Sequence, residues 1–296
     1  MKRLLTLLIF VFVLLITGCK SETPVVETVV PVEPTIAVVS TEEVEEYMAI
    51  RFPDTGTDDW SQIEFLNATV LDNLTTFTIM ARLNWIDFQG AGISNKLFWK
   101  QEQWITPSEG WSIVYYGNAA DKVLEFTFDR QTTAGVWDGP IDMSTGTNYH
   151  VAVSYDDSSV VNDPEFHVDG AILAPVTEVV TPVGIPYDDS SYPFVIGPRD
   201  IDGYMWDLRI YDRVLSTAEI KQISDARSFG EDGIFDGLIF WPKMNGASTL
   251  QSWDGAALSK TTQIVDSING FLGTPDSDDV NFVTPYGYAD DYLNIR

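Results

Sequence analysis

Four kinds of side chain in this sequence have the chemistry to act on, or hold, another molecule: paired acids, histidines, an acid-rich loop and clustered aromatics. Glycoside cleavage needs two carboxyl groups flanking the bond, about 5–5.5 Å apart in retaining enzymes. Glu125 and Asp129 fall on one face of a strand-like stretch. Same-face residues repeat every ~6.6–7 Å, so these two backbones are about 13 Å apart, too far for a retaining pair. They are expected to be solvated strand acids. His150 and His167 each lie in a strand opposite apolar alternates, where a satisfied or exposed histidine is expected rather than a catalytic base. No Gly-x-Ser-x-Gly elbow, His-Glu-x-x-His pair or phosphate-cradling loop occurs. Asp54-Thr55-Gly56-Thr57-Asp58-Asp59 is the kind of loop that offers oxygen ligands to a hard cation. Trp99, Trp104, Trp111, Tyr115, Tyr116 and Trp137 gather within one stretch. Aromatic platforms of this type stack on the pyranose face of sugars, and exposed aromatic clusters mark interaction sites. Trp99 and Trp104 sit among Lys100, Gln101, Glu102, Gln103 and Pro107, a polar setting that favours exposure. Trp99, Trp104, Trp111, Tyr116 and Trp137 are the expected ligand-binding residues.

The composition narrows the class. The 296 residues carry 44 acids and 17 bases, a formal net charge of −27, so the chain repels the phosphates of nucleic acid. Apolar residues make up 45% and aromatics 12%, enough for a real core. One cysteine and two histidines cannot assemble a thiolate or multi-histidine metal site.

The first residues read as an address. Met1-Lys2-Arg3 is positive, and Leu4 to Ile16 is an apolar run broken only by Thr6. Its length is that of a signal-peptide core, short of the ~20 residues of a spanning helix. Ile16-Thr17-Gly18-Cys19 follows directly and resembles a bacterial lipobox, which implies cleavage after residue 18 and acylation of Cys19. Buried acyl chains contribute ~0.8 kcal/mol per methylene, so several give lasting attachment. Lys20 is compatible with outer-membrane sorting by the same resemblance. The expected location is the bacterial envelope, as an outer-membrane lipoprotein facing the periplasm or the surface. Residues 19–46, with Pro24, Pro31 and Pro34 in a Val/Thr/Glu stretch, predict an extended stalk of up to roughly 80 Å at ~3.1 Å per residue. Self-repelling acids keep such a body off anionic headgroups.

From Tyr47 the pattern has a period of two. Phe77, Ile79, Ala81, Leu83 and Trp85 alternate with polar or long side chains, as do Leu124, Phe126 and Phe128, then Val151, Val153 and Tyr155, then Trp206, Leu208 and Ile210. Such runs, separated by Asp/Gly/Ser/Pro turns, predict strands buried on one face. Ser216 and Glu219 form a capping box ahead of Ile220 and Ile223, with Gly230 available to close the helix. The expected fold class is all-β, a two-sheet antiparallel jelly-roll sandwich with one short helix near 216–228.

The ordered set Phe77-Thr78-Ile79, Ile93-Ser94-Asn95-Lys96, Asn148-Tyr149-His150-Val151-Ala152-Val153, Phe166-His167-Val168-Asp169-Gly170, Ile196-Gly197 and Asp207-Leu208-Arg209-Ile210-Tyr211 is similar to the laminin-G-like branch of the concanavalin A-like jelly rolls. Tyr149 stands where tryptophan is usual, and Pro53 where the first turn commonly has an acid. The resemblance implies a sandwich over 47–229 and a structural calcium shared by the first turn and the closing strand, here Asp54, Asp59 and Asp207. Related β-glucanases carry Glu-x-Asp-x-x-Glu on one strand, and this sequence has none. Residues 230–296 are expected to be an appendage packed on the sandwich or a truncated repeat. The expected function is non-catalytic, lectin-like binding of an extracellular glycan or surface protein, in adhesion or nutrient capture. An envelope-assembly role or a divergent glycan hydrolase are the alternatives.

Overall fold

The computed structural model describes residues 49–52, 62–88, 95–101, 109–117, 122–197, 201–226, 231–242, 264–265, 268–269, 272–275 and 281–283. The leader, Cys19, the stalk, Asp54, Asp59 and Trp104 lie outside these residues. In chain order the first strands are β1 (Ala49–Phe52), β2 (Ile63–Phe65), β3 (Thr76–Phe88), β4 (Asn95–Gln101), β5 (Gly110–Tyr116) and β6 (Val123–Phe128). Next come β7 (Gly135–Pro140), β8 (Asn148–Asp156), β9 (Glu165–Val168), β10 (Ala171–Ile172), β11 (Thr177–Val180) and β12 (Phe194–Ile196). The last elements are β13 (Ile201–Tyr211), α1 (Thr217–Asp225), β14 (Leu238–Phe240), β15 (Ile264–Val265), β16 (Leu272–Pro275) and β17 (Asn281–Val283).

One sheet runs β10-β9-β8-β3-β13-β1-β17 with β14 also on β13; the other runs β11-β7-β6-β5-β4-β12-β2-β16-β15. The pairings are antiparallel. The chain repeatedly crosses between the two sheets, which makes the architecture a jelly-roll sandwich. Their facing sides hold the core, in which Phe77, Leu83, Trp85, Phe126, Tyr155 and Phe194 are fully or almost fully buried. The alternating positions read in β3, β6 and β8 are therefore the inward ones.

β13 departs from simple alternation. A bulge at Asp207–Leu208, between the Trp206–Arg82 and Arg209–Met80 pairs, shifts the register against β3, with Asp207 at φ 49°. Asp tolerates this left-handed conformation better than most non-glycine residues. Met205, Leu208 and Ile210 consequently face the core, and Trp206 does not join it.

The outer face of the β3/β8/β13 sheet is covered by α1. Ser216 caps the helix, with its side chain accepting from the Glu219 amide while Glu219 bonds back to the Ser216 amide. Ile220 and Ile223 pack on Met80, Ala152 and Tyr211. The helix stops at Asp225, short of Gly230. Its terminal carbonyls are taken by Arg82 on β3, whose Nη2 lies 2.9, 3.0 and 3.2 Å from the oxygens of Ile223, Ser224 and Ala226. A cation at that end also complements the helix dipole. The described strands of the tail join both sheets: β14 and β17 extend one, β16 and β15 the other. No helix among the described residues is long and apolar enough to cross a membrane.

Candidate functional site

One end of the sandwich gathers the turn before β3, the start of β5, the end of β6 and the loop before β12. They enclose a cleft of about 260 Å³ walled by Asn73, Trp111, Phe128, Asp129, Tyr187, Asp188 and Asp189, among others. Strand register puts these residues together, because Trp111 on β5 lies opposite Phe128 on β6, while the Tyr187 amide donates to the Asp129 carbonyl.

The two walls are stitched to each other. The Asn73 amide donates to Asp189 Oδ1 at 2.7 Å, and the Asp189 amide donates to Asn73 Oδ1 at 3.2 Å. Asn73 Nδ2 donates to Asp188 Oδ1 at 3.1 Å. Asn73 takes φ 55°, a turn conformation asparagine accepts. Behind the wall the buried Lys100 ammonium reaches Asp72 Oδ1 at 2.8 Å and donates to the carbonyls of Asp189 and Tyr192 at 2.9 and 2.7 Å. Burial above all pushes the Asp189 carboxyl up to about 6, outweighing the Asn73 amide and Lys100, with Asp72 and Asp188 adding to the rise. Bonds from Ser190 and Asn73 hold the Asp188 carboxyl below the usual range. Gly110, at φ 126°, lets β5 begin against β4, since a Cβ there would stand 2.0 Å from the Lys100 carbonyl oxygen.

The aromatic platform expected from the sequence needs correction. Trp99, Trp111 and Trp137 are buried, at 1%, 1% and 0% exposure. Trp137 stacks on Phe126 and donates Nε1–H to Asp163 at 2.8 Å. Trp111 packs on Phe77 and Phe194, and of the described aromatics expected to bind it alone also lines the cleft. Trp99, Lys100 and Gln101 belong to β4 and are buried, not loop. Tyr115 is buried too, its hydroxyl accepting from the Met143 amide. Tyr116 is half-buried, its hydroxyl donating to Glu125 at 3.4 Å.

Asp207 does not fit the calcium expected at it. Its carboxylate accepts from Arg209 Nε and Nη2 at 2.7 and 3.1 Å, with Arg82 Nε at 3.6 Å. A cation would have to displace a guanidinium. No group of three His, Cys, Asp or Glu side chains among the described residues is placed to hold a metal ion. Arg209 also donates to Asp232 Oδ2 at 2.9 Å and lies 4.9 Å over the Trp241 ring. His150 and His167 lie beside this network on the face covered by α1, buried, with no hydrogen-bond partner for their ring nitrogens among the described residues; His167 Nε2 lies 3.9 Å from Glu165 Oε2. They are neither satisfied nor exposed. Burial first, then Arg82 and Arg209, holds the His150 imidazole well below its ordinary range; burial lowers His167 as well, against Glu165.

A carboxylate pair absent from the sequence reading lies on the outer face of the other sheet. Glu125 on β6 is directly opposite Asp138 on β7. Burial, then Asp138, pushes the Glu125 carboxyl up, and Tyr116 and Thr127 bond to it. Glu125 and Asp129 are the acids to compare along the strand; across the ladder the partner is Asp138. Only pairing register, which one strand's sequence does not contain, could have exposed it.

A family model for the concanavalin A-like lectin/glucanases superfamily (Laminin_G_3) matches residues 55–221. A Bacteroides ovatus protein proposed to bind carbohydrate superimposes with a TM-score of 0.54 at 18% identity, over 81% of this chain and 60% of that one. The chain therefore spans less than two thirds of that relative. A heptameric SAP-like pentraxin from Limulus polyphemus gives 0.46 at 15% identity, over 78% and 96% of the two chains. Domain 4 of an extracellular arabinanase from Geobacillus stearothermophilus, solved with arabinotriose, gives 0.41 at 14%, over 57% and 75%. At 18% identity the Bacteroides match reports a shared fold alone and leaves function to the site. A search of the curated proteins finds no match. With more than half of its length matched and both sheets in place, the chain belongs to the concanavalin A-like lectin/glucanases superfamily.

Proposed function

We propose that this protein is a non-catalytic glycan-binding lipoprotein, held at the bacterial envelope through Cys19, that seats a sugar in the cleft at the end of its sandwich. The observation that carries the reading is the cleft itself. It joins an aromatic wall to fixed amide and carboxylate groups, the mixture of apolar surface and a few placed polar groups that small-ligand sites share. At about 260 Å³ it is at the small end of such sites, which suits a terminal sugar better than an extended chain. The kinship with lectins and with a Bacteroides protein proposed to bind carbohydrate supports the same reading. The test is a glycan array probed with the full-length protein and with Asp188→Ala, an exposed change on the cleft wall. Binding by the wild type and its loss in the variant are expected. A blank array beside a robust protein pull-down would move the function to envelope assembly.

One observation favours a second reading, glycan hydrolysis. Directly opposed cross-strand residues have Cβ atoms about 4.5–5.5 Å apart, near the spacing of retaining glycosidase carboxyls at about 5–5.5 Å. Glu125 and Asp138 are such an opposed pair, with a raised Glu125 suited to proton donation. Neither lines the cleft, so binding is preferred. Reducing-sugar release abolished by Glu125→Gln would reverse that preference.

A further inference from the structure

Two imidazoles are buried where α1 covers the sheet. Strand register brings them together: Arg82 on β3 lies opposite His150 on β8, and in the next outward row Met80 lies opposite Ala152, which lies opposite His167 on β9. His150 and His167 are therefore diagonal neighbours on one face. Ile220 and Ile223 of α1 pack on Met80 and Ala152. The helix backbone runs so near the turn after β9 that a Cβ at Gly170 would stand 2.8 Å from the Lys221 Cα. His150 and His167 are 1% and 0% exposed, and their ring nitrogens have no hydrogen-bond partner among the described residues. Buried polar groups left unpaired are costly and uncommon, so a pair of them calls for a reason.

The charged groups around the rings leave a proton there poorly compensated. Arg82 is next to His150, and Arg209 on β13 pairs with Met80 in the His167 row. Asp207 and Asp232 are taken by Arg209, with Asp207 also 3.6 Å from Arg82. Asp169, in the turn after β9, accepts the His150 main-chain amide. On α1, Lys221 is bonded to Asp225 and Glu219 to Arg213. Glu165 on β9, half exposed, lies 3.9 Å from His167 Nε2. A protonated ring would add another cation beside two guanidiniums in a layer without water. What seals that layer is a helix of 9 residues. Helices this short owe their stability to packing, and small units open locally at less cost than the whole fold.

We propose that α1 is an acid-released cover: protonation of His150 and His167 frees the helix and bares the Met80, Ala152 and Tyr211 face, while the two sheets stay paired. Burial first, then Arg82 and Arg209, keeps the His150 ring neutral while the helix is down, and burial does the same for His167 against the pull of Glu165. Once the helix lifts, each ring meets water and takes a proton near its ordinary value of about 6.5. The closed form is therefore favoured above that pH, and below it opening gains about tenfold per pH unit for each ring.

Hydrogen exchange read by mass spectrometry, on the full-length protein in non-ionic detergent at pH 7.5 and 5 with the intrinsic rates corrected for, tests this. Peptides covering Thr217–Asp225 are expected to lose at least about 30-fold in protection at pH 5, the share of one ring. Peptides covering Val123–Phe128 on β6 are expected to keep theirs. His150→Gln is expected to reduce the loss and His150→Gln with His167→Gln to remove it, while Ser216→Ala loosens the helix by the same factor at both pH values. A readout that needs no variant is the wild-type imidazole signals in NMR, expected to be those of neutral rings at pH 7.5 and to change only in step with the loss at α1. Equal protection of α1 at the two pH values, a loss that persists in the double variant, parallel loss at β6, or rings that protonate with α1 still protected overturns the proposal.

Discussion

The cleft and the layer beneath α1 both bring charged groups inside the protein, and they treat them in opposite ways. Under the helix, Arg209 lies between Asp207 and Asp232, and Arg82 closes the helix end, while Asp232 also borders an open recess beside Lys221, Gln222 and Asp225. Cations and anions there are matched, so the layer fixes one element on another. At the cleft, acids outnumber the available bases and the recess opens to solvent. Matched charge beneath an element is scaffold; a polar recess open to solvent is where a ligand can seat.

The sharpest way to break this contrast is Arg209→Met, which leaves Asp207 and Asp232 buried without their cation. Removing one partner of a buried pair costs about 3–5 kcal/mol, so urea unfolding should show a loss of that order, with glycan binding unchanged at temperatures where the variant is folded. Asn73→Ala comes next. It removes two side-chain bonds across the cleft walls, and a loss of about 1–3 kcal/mol is expected. Unlike Arg209→Met it should also abolish sugar binding; if binding survives, the stitching is scaffold as well.

A smaller effect depends on pH. His150 and His167 are harder to protonate when folded than when unfolded, so the unfolded chain binds more protons once pH drops below about 6.5. Their contribution is fully present above that value and is lost as pH falls. Asp189 has the opposite sign: its carboxyl is raised when folded, so falling pH through about 6 favours the folded state. Comparing thermal melts of wild type and His150→Leu at pH 7.5 and 5 cancels the Asp189 contribution. The wild type should lose more on acidification; equal losses would show that His150 does not titrate in this way. The smallest effect is expected from Ser216→Ala, about 1 kcal/mol for a lost cap, without change at the cleft.

The inward faces of β3, β6 and β8 and the helix start were legible because each rests on neighbours in sequence: alternation in the strands, and three-residue spacing for Ser216 and Glu219. Trp206 was assigned to the wrong face because a bulge adds one residue, and nothing in Met205-Trp206-Asp207-Leu208 marks which one. Lys100 and Gln101 looked like loop residues because the groups that accept Lys100, at Asp72, Asp189 and Tyr192, are distant in the chain. The cleft was hidden for the same reason, since Asn73 and Asp189 are 116 positions apart. The aromatics around 99–137 were visible as a cluster, but aromatic content alone does not separate a core stack from a sugar platform.

β17 pairs with β1, so the last described strand lies against the first. β16 likewise pairs with β2. Neither sheet can finish its described hydrogen-bond ladder until the chain has been made through Pro275 and Val283. Contacts this distant in sequence slow folding, because long loops must close before any pairing rewards them. A fragment cut at residue 221, where the family match ends, would leave β1 and β2 with bare edges open to another chain. Expression boundaries for this protein therefore belong beyond Val283.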